Sequence, residues 1–237
     1  MMAMSWRVGL IDSCGSWPGA IDAAAFVTEG DRVERRATVT DPSGHGSRIA
    51  QLWAGGDAVF ELLLGQVFLS RGPASGAAVA AAVDWAVASR ADLIHMSLGL
   101  DADRTVLAAA VARAIESGCI LVASMPARGR LVYPAAYPEV VRATGDARCA
   151  PGELSCLGPG FFGGCPRFAA SGPSDSRAGT RDGVGDDARG GASIGAAWVT
   201  RNILRRPKSS TASAAVAALT ASARYIGRER RGSVPAS

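Results

Sequence analysis

The chain has 237 residues, which suits one domain with a sizeable core or at most two small ones. A hydrophobic share of 48% against 19% charged excludes a disordered chain, and a net charge of +4 is too modest to demand a nucleic-acid partner. No stretch is long enough to span a membrane, and Met1–Leu10 lacks the apolar core and cleavage site of a secretory signal.

Five cysteines without a CxxC pair and without a signal point to reduced thiols and a cytoplasmic protein. The excess positive charge falls late, from Arg201 to Arg231, and only Tyr225 interleaves with it, so it reads as a solvated face and a basic tail. One domain is expected, with its core over about 7–227 and a tail over 228–237.

In chain order, Arg7–Ile11 predicts a short buried strand that runs into the loop Asp12-Ser13-Cys14-Gly15. Phe26–Thr40 is mixed, with a strand at Val33–Val39. Asp41-Pro42-Ser43-Gly44-His45-Gly46-Ser47 breaks the pattern and starts a helix toward Trp53. Strands are expected at Glu61–Leu69, Asp92–Met96, Cys119–Ala123 and Val140–Ala143, and helices at Ala77–Ser89 and Thr105–Ser117. Gly158–Gly191 reads as long loops around a strand at Arg167–Ala170, with charges of both signs between Gly172 and Gly190 that suit partner contacts. A helix then reaches about Leu204, and another spans Ala212–Ile226. Alternating strands and helices with short connections predict an α/β fold: a mostly parallel central sheet with helices on both faces, in three layers.

The chemistry centres on Gly190-Gly191-Ala192-Ser193-Ile194-Gly195, where small residues crowd one serine at a helix start. Free N–H groups and the positive end of the helix dipole lie there, so an anion forming beside Ser193 would be stabilised. A serine nucleophile needs a base within hydrogen-bond reach and a carboxylate to orient that base. The chain has two histidines. His95 lies mid-strand among apolar residues and reads as a packed residue. His45, between two glycines on a tight turn, is the candidate base. Asp12, at a strand's C-terminal edge, is the candidate orienter, with Asp41 as its rival. Gly191-Ala192-Ser193-Ile194-Gly195 matches the G-x-S-x-G elbow of α/β-hydrolases, but no histidine follows Ser193, so that reading fails. The order Asp, His, Ser is the subtilisin order.

The chain thus resembles the subtilisin-like serine protease family. Val8-Gly9-Leu10-Ile11-Asp12-Ser13 is similar to the strand with the catalytic aspartate, and Gly44-His45-Gly46-Ser47 to the His-Gly-Thr segment. Gly191-Ala192-Ser193 is similar to Gly-Thr-Ser. His95-Met96-Ser97-Leu98-Gly99 resembles the strand that binds substrate backbone, and Tyr133-Pro134-Ala135-Ala136-Tyr137-Pro138 a Tyr-Pro-Ala segment. The resemblance covers about Arg7–Leu204. It implies a serine endopeptidase in which Ser193 attacks, His45 carries the proton and Asp12 orients His45, with Ser97, Leu98 and Gly99 pairing with an extended polypeptide substrate.

The pattern departs from the family where an oxyanion-binding Asn is usual: Ala127 stands there, and Ser124 is the candidate replacement on position. That departure implies a slow protease, or a scaffold that binds peptides without efficient cleavage. No cofactor, metal, nucleic acid or membrane is called for. The chain starts close to the first core strand and shows no calcium loop, which suits a dedicated processing enzyme. Within the family the resemblance is nearest to the maturation proteases that remove a leader from the γ subunit of quinohemoprotein amine dehydrogenase.

Overall fold

Trp6–Asp12 forms the central strand, β1, because its apolar side chains alternate between two faces that are both covered. Trp6, Val8 and Leu10 pack on one side of the sheet and Ile11 on the other. In this computed structural model, which describes residues 5–70, 72–168, 191–208 and 211–229, fourteen further elements follow. They are β2 Ala20–Glu29, β3 Arg32–Arg36, α1 His45–Ala54, β4 Phe60–Gln66, α2 Gly76–Ala88, β5 Leu93–Met96, α3 Thr105–Glu116 and β6 Ile120–Ser124. After these come β7 Val141–Gly145, β8 Leu154–Gly158, β9 Phe161–Gly164, α4 Ala192–Leu204, α5 Ala212–Ala221 and β10 Tyr225–Ile226.

The strands form one sheet in the order β10-β8-β9-β7-β6-β5-β1-β4-β2-β3. The pairs β2–β3 and β8–β9 are antiparallel, and the remaining pairs are parallel. Helices α2 and α3 cover one face, where Val79, Val83, Leu107 and Val111 meet Ile11, Ile94 and Leu121. Helices α1, α4 and α5 cover the other, where Ile49, Trp53, Trp198, Val199 and Leu219 meet Val8, Leu10 and Val122. The expected three-layer α/β architecture with a mostly parallel sheet is therefore present.

Three readings are corrected. Phe26–Thr40, read as mixed with a strand at Val33–Val39, holds the end of β2 and a strand at Arg32–Arg36: the alanines of β2 favour a helix in isolation, but Ala24 and Phe26 are buried against the layer that contains α2. The start of the glycine-rich region Gly158–Gly191, read as loop, holds β9, which pairs with β8. Gly163 and Gly164 look like loop residues, yet a Cβ on Gly164 would come within 2.6 Å of the Gly195 carbonyl oxygen, so glycine here lets α4 press on the strand. Arg167 and Phe168 are in no strand, and 169–190, including the charged loop, lie outside the described residues. The last helix ends at Ala221 rather than Ile226, because the chain turns back to add β10 beside β8.

One consequence positions the site. The registers Ile11↔Met96 and Met96↔Ala123 leave the next residues, Asp12, Ser97 and Ser124, side by side at the C-terminal edge of the sheet. That edge is where parallel α/β sheets present ligand-binding groups.

Candidate active site

Asp12 is 1% exposed at the end of β1. Its Oδ1 accepts from the backbone N–H of Ser13 at 2.6 Å and the Ser13 hydroxyl at 3.0 Å. Nδ1 of His45 lies 2.9 Å from Oδ1 and 3.0 Å from Oδ2. A carboxylate only accepts, so Nδ1 carries the proton and Nε2 is left as the basic nitrogen.

The start of α1 is built to hold that imidazole. A Cβ on Gly46 would fall 2.5 Å from the Cys14 backbone nitrogen and 3.1 Å from Asp12 Oδ1, so only glycine lets the helix approach β1 this closely. The Gly46 N–H donates to the Ser13 hydroxyl at 3.1 Å. Asp41, the rival orienter, does different work. Its Oδ1 accepts from the Gly44 N–H at 2.8 Å, and its Oδ2 from the Ser47 N–H at 2.9 Å and hydroxyl at 2.7 Å. It caps the free N–H groups at the start of α1 and so fixes where His45 stands. The sequence signal for this was an Asp three residues before Gly44, followed by a Ser.

Burial pulls the His45 pKa down, but the Asp12 charge and hydrogen bond, with help from Asp41, outweigh it. The net shift is upward from 6.5, against a smaller downward push from Arg48. The imidazole stays partly open to solvent, with its side chain 34% exposed.

Ser193 lies in the first turn of α4. The helix's first internal bond runs from Gly195 N–H to the Gly191 carbonyl, which leaves earlier N–H groups of the turn without a helical acceptor. Gly195 seats the helix on β7: a Cβ there would lie 2.0 Å from the Thr144 carbonyl oxygen. The Ser193 hydroxyl donates to the Ser97 carbonyl at 3.3 Å. No hydrogen bond joins it to His45 among the described residues. Ser97 follows β5 as Asp12 ends β1, and neighbouring strands stand about 4.8 Å apart. Ser193 on α4 thus touches the end of β5, and His45 on α1 the end of its neighbour β1.

The remaining expected site residues fall around this edge. Leu98 is buried, and its carbonyl accepts from the Ser124 hydroxyl at 3.4 Å. Gly99 is exposed, and Leu100 forms an antiparallel bridge with Tyr133. Ala127 is in the exposed stretch after β6. A cleft of about 560 Å³ opens beyond Leu100, lined by Pro73, Ala74, Gly76, Leu100, Arg104 and Val106. His95, expected to be packed, is fully buried: Nδ1 is 2.8 Å from the Thr200 hydroxyl and Nε2 is 2.5 Å from the Ser97 hydroxyl. Neither Thr200 nor Ser13 stood out in the sequence, because each acts through a neighbour that is distant in the chain or lacks a motif of its own.

No profile of a known protein family matches the chain. Over 62 residues, 25% of this chain, it is 44% identical to the minor extracellular protease Epr of Bacillus subtilis, covering 10% of that protein. Over 117 residues, 43% of this chain, it is 31% identical to subtilisin DY of Bacillus licheniformis, covering 43% of that protein. The chain thus spans less than half the length of these curated relatives. Among solved structures it is similar to the prenylagaramide maturation protease PagA, with a TM-score of 0.45 and 20% identity over 60% of this chain and 53% of that one. Among the described residues, no helix is long and apolar enough to cross a membrane.

Proposed function

We propose that the protein is a subtilisin-like serine endopeptidase that works through Asp12, His45 and Ser193. The observation that carries this reading is the Asp12–His45 pair, with both carboxylate oxygens on Nδ1, held one strand away from a serine at a helix start. The local identity to a subtilisin and to an extracellular protease supports it.

In the proposed reaction, the Ser193 hydroxyl turns from the Ser97 carbonyl toward Nε2 of His45. Nε2 takes the proton as Oγ attacks the substrate carbonyl, and the imidazolium then protonates the leaving amine. Asp12 stabilises the imidazolium. Water, activated by the same nitrogen, releases the acyl group and restores the serine. Backbone N–H groups in the first turn of α4 face the developing oxyanion. The exposed main chain at Gly99 pairs with an extended substrate, and the neighbouring cleft takes apolar side chains.

With Ala127 where the family usually carries an Asn, one oxyanion donor is missing, and a loss of about 10²–10³ in kcat follows. Such an enzyme suits single-bond processing. The sequence resemblance to leader-removing maturation proteases makes a leader-bearing precursor, such as the γ subunit of quinohemoprotein amine dehydrogenase, the substrate of choice. Ala127 also favours a second reading, a peptide-binding scaffold without efficient cleavage. A fluorophosphonate probe separates the two: labelling at Ser193 that disappears in Ser193→Ala supports the protease, and an unlabelled native protein supports the scaffold.

A further inference from the structure

We infer that His95 is a positioning residue for the nucleophile: its imidazole ties Ser97 on the sheet to Thr200 on α4 and so holds the Ser97 carbonyl against the Ser193 hydroxyl. The inference rests on the reading of Ser193 as the nucleophile.

Ser97 has two roles at once. Its hydroxyl meets Nε2 of His95 at 2.5 Å, and its carbonyl accepts the Ser193 hydroxyl at 3.3 Å. Fixing that hydroxyl therefore fixes the peptide group that sets the place of Ser193, from which its hydroxyl turns toward Nε2 of His45. Thr200 closes the circuit from the other side at 2.8 Å. It follows Ser193 by seven residues, about two helical turns, so both lie on one stripe of α4. The connection is enclosed. His95 and Thr200 are fully buried and Ser97 is 7% exposed. Trp53 of α1 stands edge-on to His95 at 5.1 Å, and its Nε1–H donates to the Ala197 carbonyl of α4 at 3.0 Å. The helix that bears His45, the helix that bears Ser193 and the strand between them therefore meet at one imidazole.

A neutral imidazole offers one donor and one acceptor, and each hydroxyl offers both, so all three side chains can be satisfied together. Burial pushes the His95 pKa down to about 3, with Asp12 pulling it up and His45 pushing it further down, so the ring is neutral while His45 titrates. An aliphatic side chain in its place would fill the space and leave two buried hydroxyls unpaired.

The test compares the saturation kinetics of fluorophosphonate labelling in the native chain, Thr200→Val, His95→Leu and His95→Gln. Thr200→Val and His95→Leu are expected to lower the limiting rate at Ser193 about 10-fold with unchanged probe affinity and an unchanged acid midpoint, since a small misplacement costs rate and not binding. His95→Gln, which both donates and accepts, is expected to recover most of the rate. Folded Thr200→Val that labels at the native rate overturns the inference, and this variant decides alone if His95→Leu does not fold. A native chain that takes no label overturns the nucleophile reading itself. Nitrogen NMR then judges the clamp separately: one protonated ring nitrogen in His95 from pH 8 to 5 is expected, and a charged ring in that range refutes it.

Discussion

Nδ1 of His45 sits 2.9 Å and 3.0 Å from the two oxygens of Asp12, so one buried carboxylate sets both the tautomer and the basicity of the imidazole. Because the His45 pKa is raised in the fold above 6.5, its protonated form adds stability below the unfolded value, and that contribution disappears as pH rises through the folded value. Activity runs the opposite way, since the base must be unprotonated. The acid limb of kcat/KM is expected to have its midpoint above 6.5. Asp12→Asn is expected to shift that midpoint downward and to cut the rate about 10⁴-fold by releasing the wrong tautomer. Labelling rates against pH measure both effects.

Removing the hydroxyl alone should separate chemistry from folding. Ser193→Ala is expected to abolish labelling and to cut turnover by at least about 10⁴-fold. Its thermal unfolding should match the native chain within about 0.5 kcal/mol, because the residue is only partly buried and its hydrogen bond is a single one. Mass spectrometry of the labelled peptide and a melting curve check the two halves.

Restoring the missing donor should raise the rate. Ala127→Asn is expected to increase kcat about 10-fold or more with little change in KM, because an oxyanion donor acts in the transition state. Ala127 is exposed, so stability should hold. An unchanged kcat would place the oxyanion elsewhere.

The seat of α4 should tolerate no side chain. Gly195→Ala puts a methyl group 2.0 Å from the Thr144 carbonyl oxygen and 2.5 Å from the Gly145 nitrogen, which are backbone atoms of the sheet. A loss of about 3 kcal/mol is expected in urea unfolding, together with loss of labelling as α4 carries Ser193 away from Ser97.

Much of this protein is legible in its sequence. The alternation of short apolar strands and alanine-rich helices announced the parallel sheet, since a strand covered on both faces reads as a short continuous apolar run and a helix as a longer one. His45 stood out because glycines flank it, and Asp12 because a buried strand ends on it. Local pattern was insufficient wherever a neighbour from far away decided the outcome. Ala20–Glu29 became a strand only because β4 offers it a partner edge. Gly164 became strand because α4 needs the space it leaves, and Gly163 because Ser155 and Asp146 crowd the place of a side chain.

The same division runs through the site. Residue type alone supplied the candidates for an attacking hydroxyl, a base and an orienting acid, since these groups carry their chemistry with them. Tertiary structure alone assigned Asp41 to the helix cap and Asp12 to the imidazole, and linked His95 to Ser97 and Thr200. Hydrogen bonds act over about 3 Å, and only folding brings Asp12 to His45, 33 residues on, and His95 to Thr200, 105 residues on, within that range.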